Sequence, residues 1–230
     1  MTVPPSKNCF VAGASRGVGF EVVKALRKEG YTVTALIRTA DTQPLLDTLG
    51  ARVTIADALD TSAVALALET FGSSPFTVVT TIGGKGMNRD EPRSDYLGNR
   101  NLIDGVKNLP CQRFLMVSSI GVGESAVALP PQVLETLRPA LLAKAKAEEH
   151  LISSGIPYTI IRPGGLLSEA ATGRGLLTTD CRVAGSIPRM DVAALVLQCL
   201  LSRKAENQTF AAVDGDRVRS SYPIEPFLLD

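Results

Sequence analysis

The stretch that decides the fold is NCFVAGASRGVGFEVVKALRKEG, residues 8–30. Its start, residues 8–12, is mostly apolar and typical of a buried strand, and a helical pattern over 17–29 ends at Gly30. A glycine-rich turn, residues 13–19, joins them. Glycines allow a tight turn and a close approach of the backbone to a pyrophosphate, while the helix N-terminus offers unpaired N–H groups to the anion. The stretch therefore predicts the first strand–helix unit of a nucleotide-binding sheet.

The same alternation of apolar runs and helical patterns continues along the chain. It predicts further strands at residues 32–37, 52–55, 77–82, 113–118, 158–162 and 209–213. It predicts further helices at residues 62–71, 96–109, 134–153 and 190–201. Pro139 is expected to start a helix within 134–153, because proline is tolerated in a first turn and breaks a helix interior. Strands that alternate with helices indicate an α/β fold with one doubly wound parallel (Rossmann) sheet, formed by residues 1–230 as a single domain.

Two parts of the chain depart from this alternation. Residues 163–188 break into short pieces punctuated by glycine, and we expect this 163–188 segment to form a small substrate lid over the C-terminal edge of the sheet. The tail, residues 214–230, shows no such pattern and is expected to be a loop or a loosely held arm.

Composition argues against several classes of protein. The chain has 24 Lys and Arg against 23 Asp and Glu, so it lacks the excess charge expected of a nucleic-acid or polybasic membrane binder. Its longest apolar stretch, 192–201, is about half of a membrane span, and the first residues lack an apolar signal sequence. Four scattered cysteines and one histidine argue against a metal site. We expect a cytoplasmic monomer or weak homodimer with a small-molecule substrate.

The spacing of the glycine loop resembles that of a known family. Gly13-Ala14-Ser15-Arg16-Gly17-Val18-Gly19 reads GxxxGxG, as in the nucleotide loop of short-chain dehydrogenase/reductases. Four later segments resemble the atypical, NmrA-like branch of that superfamily, and they are Asp57, residues 81–84 (TIGG), 117–119 (VSS) and 158–165 (YTIIRPGG). Within this branch, the chain length, the Pro130-Pro131 pair and the final third are similar to the flavin/biliverdin reductases.

The resemblance assigns most of the cofactor-binding positions. In the loop these are Gly13, Ser15, Arg16, Gly17, Val18 and Gly19. Asp57 would hydrogen-bond the adenine, Ile82 and Gly83 would line the inner ribose, and Pro163, Gly164 and Gly165 would present backbone amides to the carboxamide. Plainer interpretations remain open, because Asp57 could cap its own turn and Pro-Gly-Gly is also typical of a turn that ends a strand.

The residue after the second strand indicates which nucleotide binds. Proteins that prefer NAD place Asp or Glu there to accept hydrogen bonds from the ribose 2′-OH, whereas this chain has Arg38. A guanidinium binds a 2′-phosphate bidentately, and Arg16 could supply a second clamp. NADP(H) is therefore the predicted cofactor. The alternative is that both arginines are ordinary solvated side chains and that Asp41 reaches back to the ribose.

The resemblance also locates the candidate catalytic residues, Ser119 and Lys144. The superfamily's usual acid is the Tyr of a YxxxK motif, and here Lys144 falls on the Lys position while Ala140 falls on the Tyr position. The missing phenol puts in doubt any carbonyl reduction that needs a proton from tyrosine. Lys144 could instead pair with Glu148 at i,i+4, and Ser119, like Ser118 beside it, could merely close the fifth strand.

Together these patterns predict an NADP(H)-dependent oxidoreductase that acts on a small planar conjugated substrate of the flavin, tetrapyrrole or quinone class. A non-catalytic NADP(H)-binding sensor or scaffold protein is the alternative, because such a protein would also lack the tyrosine. The acidic residues Asp90, Glu91 and Asp95, among Arg89, Arg93 and Arg100, are interpreted as a solvated loop.

Overall fold

The computed structural model describes residues 6–84, 94–220 and 222–230, and these residues form an eight-stranded sheet with helices on both faces, beside a three-stranded sheet. The strands are β1 (Asn8–Ala12), β2 (Thr32–Ile37), β3 (Arg52–Ile55), β4 (Phe76–Thr80), β5 (Cys111–Val117), β6 (Tyr158–Pro163), β7 (Gly165–Leu167), β8 (Gly175–Thr178), β9 (Ala184–Pro188), β10 (Gln208–Asp214) and β11 (Val218–Arg219). The helices are α1 (Gly17–Lys28), α2 (Gln43–Thr48), α3 (Thr61–Glu69), α4 (Leu97–Val106), α5 (Pro131–Ser153) and α6 (Arg189–Leu201).

The main sheet confirms the predicted fold class. Its strand order is β3-β2-β1-β4-β5-β6-β10-β8, and among the described strands of this sheet only β8 runs antiparallel to its neighbour. The chain order reverses between β1 and β4, and ligands of doubly wound sheets bind at the carboxyl edge of such a switch point. The glycine loop follows β1 directly, so it lies at this edge.

Two apolar layers hold the helices on the sheet. Successive side chains of a strand point to opposite faces, so Val11 and Phe10 of β1 belong to different layers. The Val11 layer includes α1 and α6, and the Phe10 layer includes α3, α4 and α5. Strands that are buried on both sides explain why the parallel core reads as continuous apolar runs.

The prediction that Pro139 starts a helix is wrong. A single helix, α5, begins at Pro131 and continues through Pro139 to Ser153. Pro131 takes the first-turn position, where its missing N–H costs nothing. Pro139 cannot donate to the carbonyl group of residue 135, and because residues 131–138 are mostly exposed, solvent can hydrate that carbonyl.

The 163–188 segment is more regular than the sequence indicates. β7 pairs with β9 in parallel, β11 pairs with β9 in the antiparallel sense, and β8 extends the main sheet beside β10. Its role as a lid stays a prediction. Among the described residues, no helix combines the length and the apolar character needed to cross a membrane.

The expectation of a loosely held tail is also wrong. The backbone N–H of Phe227 donates to the Leu177 carbonyl oxygen at 2.7 Å, and the Phe227 ring centroid lies 4.7 Å from that of Phe210. An ion pair of 2.6 Å joins Lys204 to Asp230. The tail therefore contacts the edge strand β8 and packs against the core at Phe210.

Candidate functional site

The glycine loop is packed too tightly for side chains at two of its positions. A Cβ at Gly13 would lie 2.8 Å from Thr81 Oγ1, and one at Gly19 would lie 2.2 Å from the Gly13 carbonyl oxygen. Gly17 is constrained differently, since its φ of +57° lies in the left-handed region. The loop therefore keeps its backbone close to β4 and starts α1 at Gly17.

The start of α1 fits an anion. Its N-cap, Arg16, makes no capping hydrogen bond through its side chain, and the first turn contains no acidic residue. The first N–H groups of the helix therefore have no acid or capping side chain of their own helix start as a partner, which is the arrangement that binds a pyrophosphate. Ser15 is half-buried, whereas the Val18 side chain is only 7% exposed and packs into the core, so Val18 could contribute only its backbone.

Arg38 and Arg16 are exposed at the same edge of the sheet. The Leu36 carbonyl oxygen of β2 accepts the N–H groups of Gly13 and Ala14 at 3.2 and 3.3 Å, which holds the loop against the end of β2. Asp41 accepts a hydrogen bond from Thr39 Oγ1 at 2.9 Å within its own turn. The structure thus leaves both guanidinium groups exposed near the loop and the end of β2.

Asp57 follows β3 and is exposed. Its Oδ1 accepts a hydrogen bond from the Leu59 N–H at 3.0 Å. Asp57 therefore caps its own turn, as one of the two interpretations predicted. Binding of adenine by Asp57 stays a prediction.

Lys144 and Gly83 meet at the end of β4. A Cβ at Gly83 would lie 3.9 Å from Lys144 Nζ and 3.3 Å from Asp95 Oδ1. Lys144 Nζ is 3.7 Å from Asp95 Oδ1, and Asp95 Oδ2 accepts the Gly84 N–H at 2.8 Å. Ile82, half-buried just before Gly83, holds its N–H 3.3 Å from Thr80 Oγ1.

Asp95 corrects one sequence interpretation and adds a site residue. Its side chain is 1% exposed, so it does not belong to a solvated loop. Nothing in the sequence distinguishes Asp95 from the nearby acids Asp90 and Glu91, so the sequence alone does not identify it as a site residue. Those two, with Arg89 and Arg93, lie outside the described residues.

The proposed pair between Lys144 and Glu148 is wrong. Glu148 is 3% exposed, and it accepts hydrogen bonds from Ser118 Oγ and from the Arg162 guanidinium, with Nη2 at 2.6 Å. The Ser118 hydroxyl therefore bonds to a side chain of α5. Ser119 is half-buried and donates through Oγ to the Ile120 carbonyl oxygen at 2.9 Å.

The amides of residues 163–165 differ from the expectation. Pro163 has no N–H, and the Gly164 N–H donates to the Ala212 carbonyl oxygen at 2.9 Å. A Cβ at Gly164 would lie 2.4 Å from the Gly185 carbonyl oxygen. The interpretation of Gly164 as an amide donor to a ligand is therefore wrong, because its N–H is already bonded to β10. The absence of a side chain at Gly164 allows β9 to approach closely. The role of exposed Gly165 stays a prediction.

Comparisons with known proteins agree with this geometry. Residues 13–203 match the model of a family described as NAD(P)H-binding. An uncharacterized chloroplastic protein of Arabidopsis thaliana, At2g34460, is 32% identical over 91% of this chain and 76% of its own length. A Bacillus subtilis protein, named as the uncharacterized sugar epimerase YhfK, is 29% identical over 90% of this chain and 94% of its own.

A solved structure is similar over nearly the whole fold. ChuY of Escherichia coli O157:H7, described as an anaerobillin reductase, shares 30% sequence identity with a TM-score of 0.82, over 93% of this chain and 100% of that one. The region that matches the family model contains the glycine loop, Lys144 and strands β2 to β6 of the parallel core. The chain therefore belongs to the NAD(P)H-binding family of Rossmann-fold oxidoreductases, in the atypical branch of the short-chain dehydrogenase/reductases.

Proposed function

We propose that this chain uses NADP(H) to reduce a small planar conjugated acceptor of the flavin, tetrapyrrole or quinone class. The observation that carries this proposal is Ala140, a half-buried residue one helical turn before Lys144 on α5, where the superfamily places its tyrosine acid. NADPH, when bound, supplies the hydride.

The missing acid selects the kind of acceptor. Hydride addition to an isolated carbonyl develops charge on oxygen, and a positioned acid contributes about 10²- to 10⁴-fold to such a step. The methyl group of Ala140 cannot donate a proton, and the hydroxyl of Ser118 donates to Glu148. A conjugated acceptor spreads the charge over its own π system, so that solvent can protonate it later. Orientation over the nicotinamide then supplies most of the rate.

The chain's own residues would divide the binding of NADP(H) among them. Residues 13–19 and the start of α1 would hold the pyrophosphate, and Arg38 with Arg16 the 2′-phosphate. Lys144, fixed beside Gly83 and Asp95, would donate to the nicotinamide ribose. Ser119 would face the reacting end, because it follows β5 at the carboxyl edge of the sheet.

The named relatives support reduction without deciding the acceptor. ChuY is described as an anaerobillin reductase, whereas the Bacillus subtilis relative is named as a sugar epimerase. Ala140 favours reduction of a conjugated acceptor in this chain, since epimerisation requires groups that remove and return a proton. The cytoplasmic location and the monomeric or weakly dimeric state belong to the same proposal.

The test measures the oxidation of NADPH through the loss of its absorbance. The acceptors compared are FMN, biliverdin, a short-chain quinone, and a set of aldehydes and ketones. We expect turnover with at least one conjugated acceptor and none with the simple carbonyl compounds. An assay without acceptor measures the background. Fast reduction of aldehydes would contradict the argument from Ala140. Tight binding of NADPH without turnover of any acceptor would support the sensor alternative instead.

A further inference from the structure

Arg189, the first residue of α6, lies beside the glycine loop. The position of a Cβ at Gly17 is 3.6 Å from Arg189 Nε and 3.8 Å from its Cδ. Because Gly17 begins α1, the guanidinium lies beside the N-terminus of that helix. The packing of α6 against α1 holds Arg189 in this position, because Val192 of α6 and Val22 of α1 lie in the same core layer.

The other side of this guanidinium holds the 163–188 segment. Arg189 Nη1 donates to the Leu166 carbonyl oxygen of β7 at 3.3 Å and to Ser168 Oγ at 2.7 Å. The Arg189 side chain therefore lies between the glycine loop and β7, and it is hydrogen-bonded to β7 and to Ser168.

The charge of Arg189 has no acidic counterpart in this arrangement. Both hydrogen-bond acceptors are neutral oxygens, and none of the ion pairs formed among the described residues includes Arg189. The first turn of α1 also lacks an acid. A cation beside the positive end of a helix is repelled, unless an anion lies between them and attracts both. An anion bound between Arg189 and the start of α1 would therefore stabilise this arrangement.

We propose that Arg189 binds the pyrophosphate of NADP(H) and thereby couples cofactor binding to the position of residues 165–168. The inference rests on the proposed function, because it requires a nicotinamide nucleotide in the loop. The Arg189 side chain of α6 lies beside the start of α1, whereas Arg38 follows β2. The two arginines are thus assigned to different phosphates of the same cofactor.

The first experiment measures the Kd of both NADPH and NADH by titration calorimetry. Arg189→Met should weaken both nucleotides by the same factor, about 10- to 100-fold, because both contain the pyrophosphate. Arg38→Asp should weaken NADPH alone. Arg203→Met is the matched control, since exposed Arg203 follows the far end of α6, about 20 Å away, and this change should leave both Kd values within about twofold.

The second experiment measures coupling by hydrogen exchange of peptides that cover residues 164–173. Saturating NADPH should slow exchange there in the wild type but not in Arg189→Met. Ser168→Ala keeps the charge and removes one hydrogen bond of the connection. It should leave the Kd of NADPH within about threefold while reducing the protection. Circular dichroism checks that each variant is folded. If Arg189→Met is unfolded, Arg189→Lys replaces it in both experiments, and we expect it to show an intermediate loss of affinity.

The outcomes separate this inference from the proposed function. If the wild type binds NADPH but Arg189→Met and Arg189→Lys bind it equally well, the inference is overturned while the proposed function stands. A loss confined to NADPH would overturn the assignment to the pyrophosphate. If the wild type binds neither nucleotide, the proposed function itself fails.

Discussion

At the scale of single residues, Arg38 decides the choice of nucleotide under the proposed function. We expect the wild type to bind NADPH more tightly than NADH by about 1.5–3 kcal/mol, the contribution of a charge-assisted hydrogen bond to the 2′-phosphate. Arg38→Asp should remove this preference, because a carboxylate repels the phosphate. Calorimetric titration measures it, and equal affinities of the wild type for the two nucleotides would contradict the assignment.

Lys144 offers a second prediction at this scale, with a matched control two residues away. Lys144→Met should raise the KM for NADPH by about tenfold with a smaller effect on kcat, because it removes a hydrogen bond to the ribose. Lys146 is exposed, and its Nζ lies 6.0 Å from the Tyr96 ring centroid rather than beside Gly83. Steady-state kinetics of Lys146→Met should match the wild type. An equal effect of both substitutions would argue against a specific role for Lys144.

The loop glycines make different predictions because their constraints differ. Gly19→Ala places a methyl group 2.2 Å from the Gly13 carbonyl oxygen, so the loop must move and nucleotide binding should fall by more than about tenfold. Gly17→Ala leaves the loop in place, because its methyl group meets only Arg189, at 3.6 Å, and it adds about 1–2 kcal/mol of left-handed strain. Its methyl group faces the space proposed for the pyrophosphate, so NADPH binding should fall without a change in the loop. Fluorescence titration with NADPH compares them. Normal binding by Gly19→Ala would show that the loop does not hold the nucleotide.

At the scale of elements, a buried ion pair joins β6 to α5. Arg162 of β6 pairs with Glu148 of α5 at 2.6 Å, and with Glu124, also at 2.6 Å. Burial lowers the pKa of Arg162, but its hydrogen bonds and charge interactions with the two glutamates outweigh burial and raise it. The pair holds the helix that carries Lys144 against the strand that precedes the 163–188 segment.

Removal of Arg162 should therefore destabilise the fold. Arg162→Met leaves the buried Glu148 without its cation, and we expect a loss of about 3–5 kcal/mol in the free energy of unfolding in urea. Glu124→Gln is the control, because the Glu124 side chain is 64% exposed and its surface pair contributes less than about 1 kcal/mol. Equal losses in the two variants would contradict a buried role for Arg162.

The ion pair between Glu124 and Arg162 also predicts how the stability of the fold changes with pH. Partial burial raises the pKa of Glu124, but its own backbone N–H and Arg162 outweigh this and lower it. A lowered pKa in the folded state stabilises the protein above the unfolded pKa, about 4.3. The stability difference between the wild type and Glu124→Gln should therefore be present near neutral pH and disappear as the pH falls through the folded pKa. A difference that grows in acid would contradict this, as measured by urea unfolding across the range.

At the scale of the whole molecule, the tail contributes to the core. Phe227→Ala should lower the free energy of unfolding by about 1–3 kcal/mol, because its half-buried ring packs on Phe210. Leu228→Ala is the matched control, since Leu228 is 76% exposed and its removal should change little. Urea unfolding measures both, and a Phe227 variant as stable as the wild type would mean that the tail is held by its backbone alone.

The parallel sheet and the glycine loop could be predicted from the sequence. β1, β2 and β3 occupy the predicted residues, and GxxxGxG lies between β1 and α1 as expected. These features depend on local properties, namely the apolar pattern of a strand and the freedom of glycine to turn, which are complete within a few neighbouring residues.

Contacts between side chains that are distant in the sequence could not be predicted, because they depend on the tertiary fold. It joined Asp95 to Lys144, gave Glu148 to Arg162, placed Arg189 over Gly17 and packed Phe227 on Phe210. No local pattern marks these residues, because each acquires its environment from strands and helices far away in the chain. The carboxylate of Asp95 is buried, and Arg189 faces the glycine loop, because the doubly wound sheet brings the carboxyl ends of its strands and the starts of its helices to one edge.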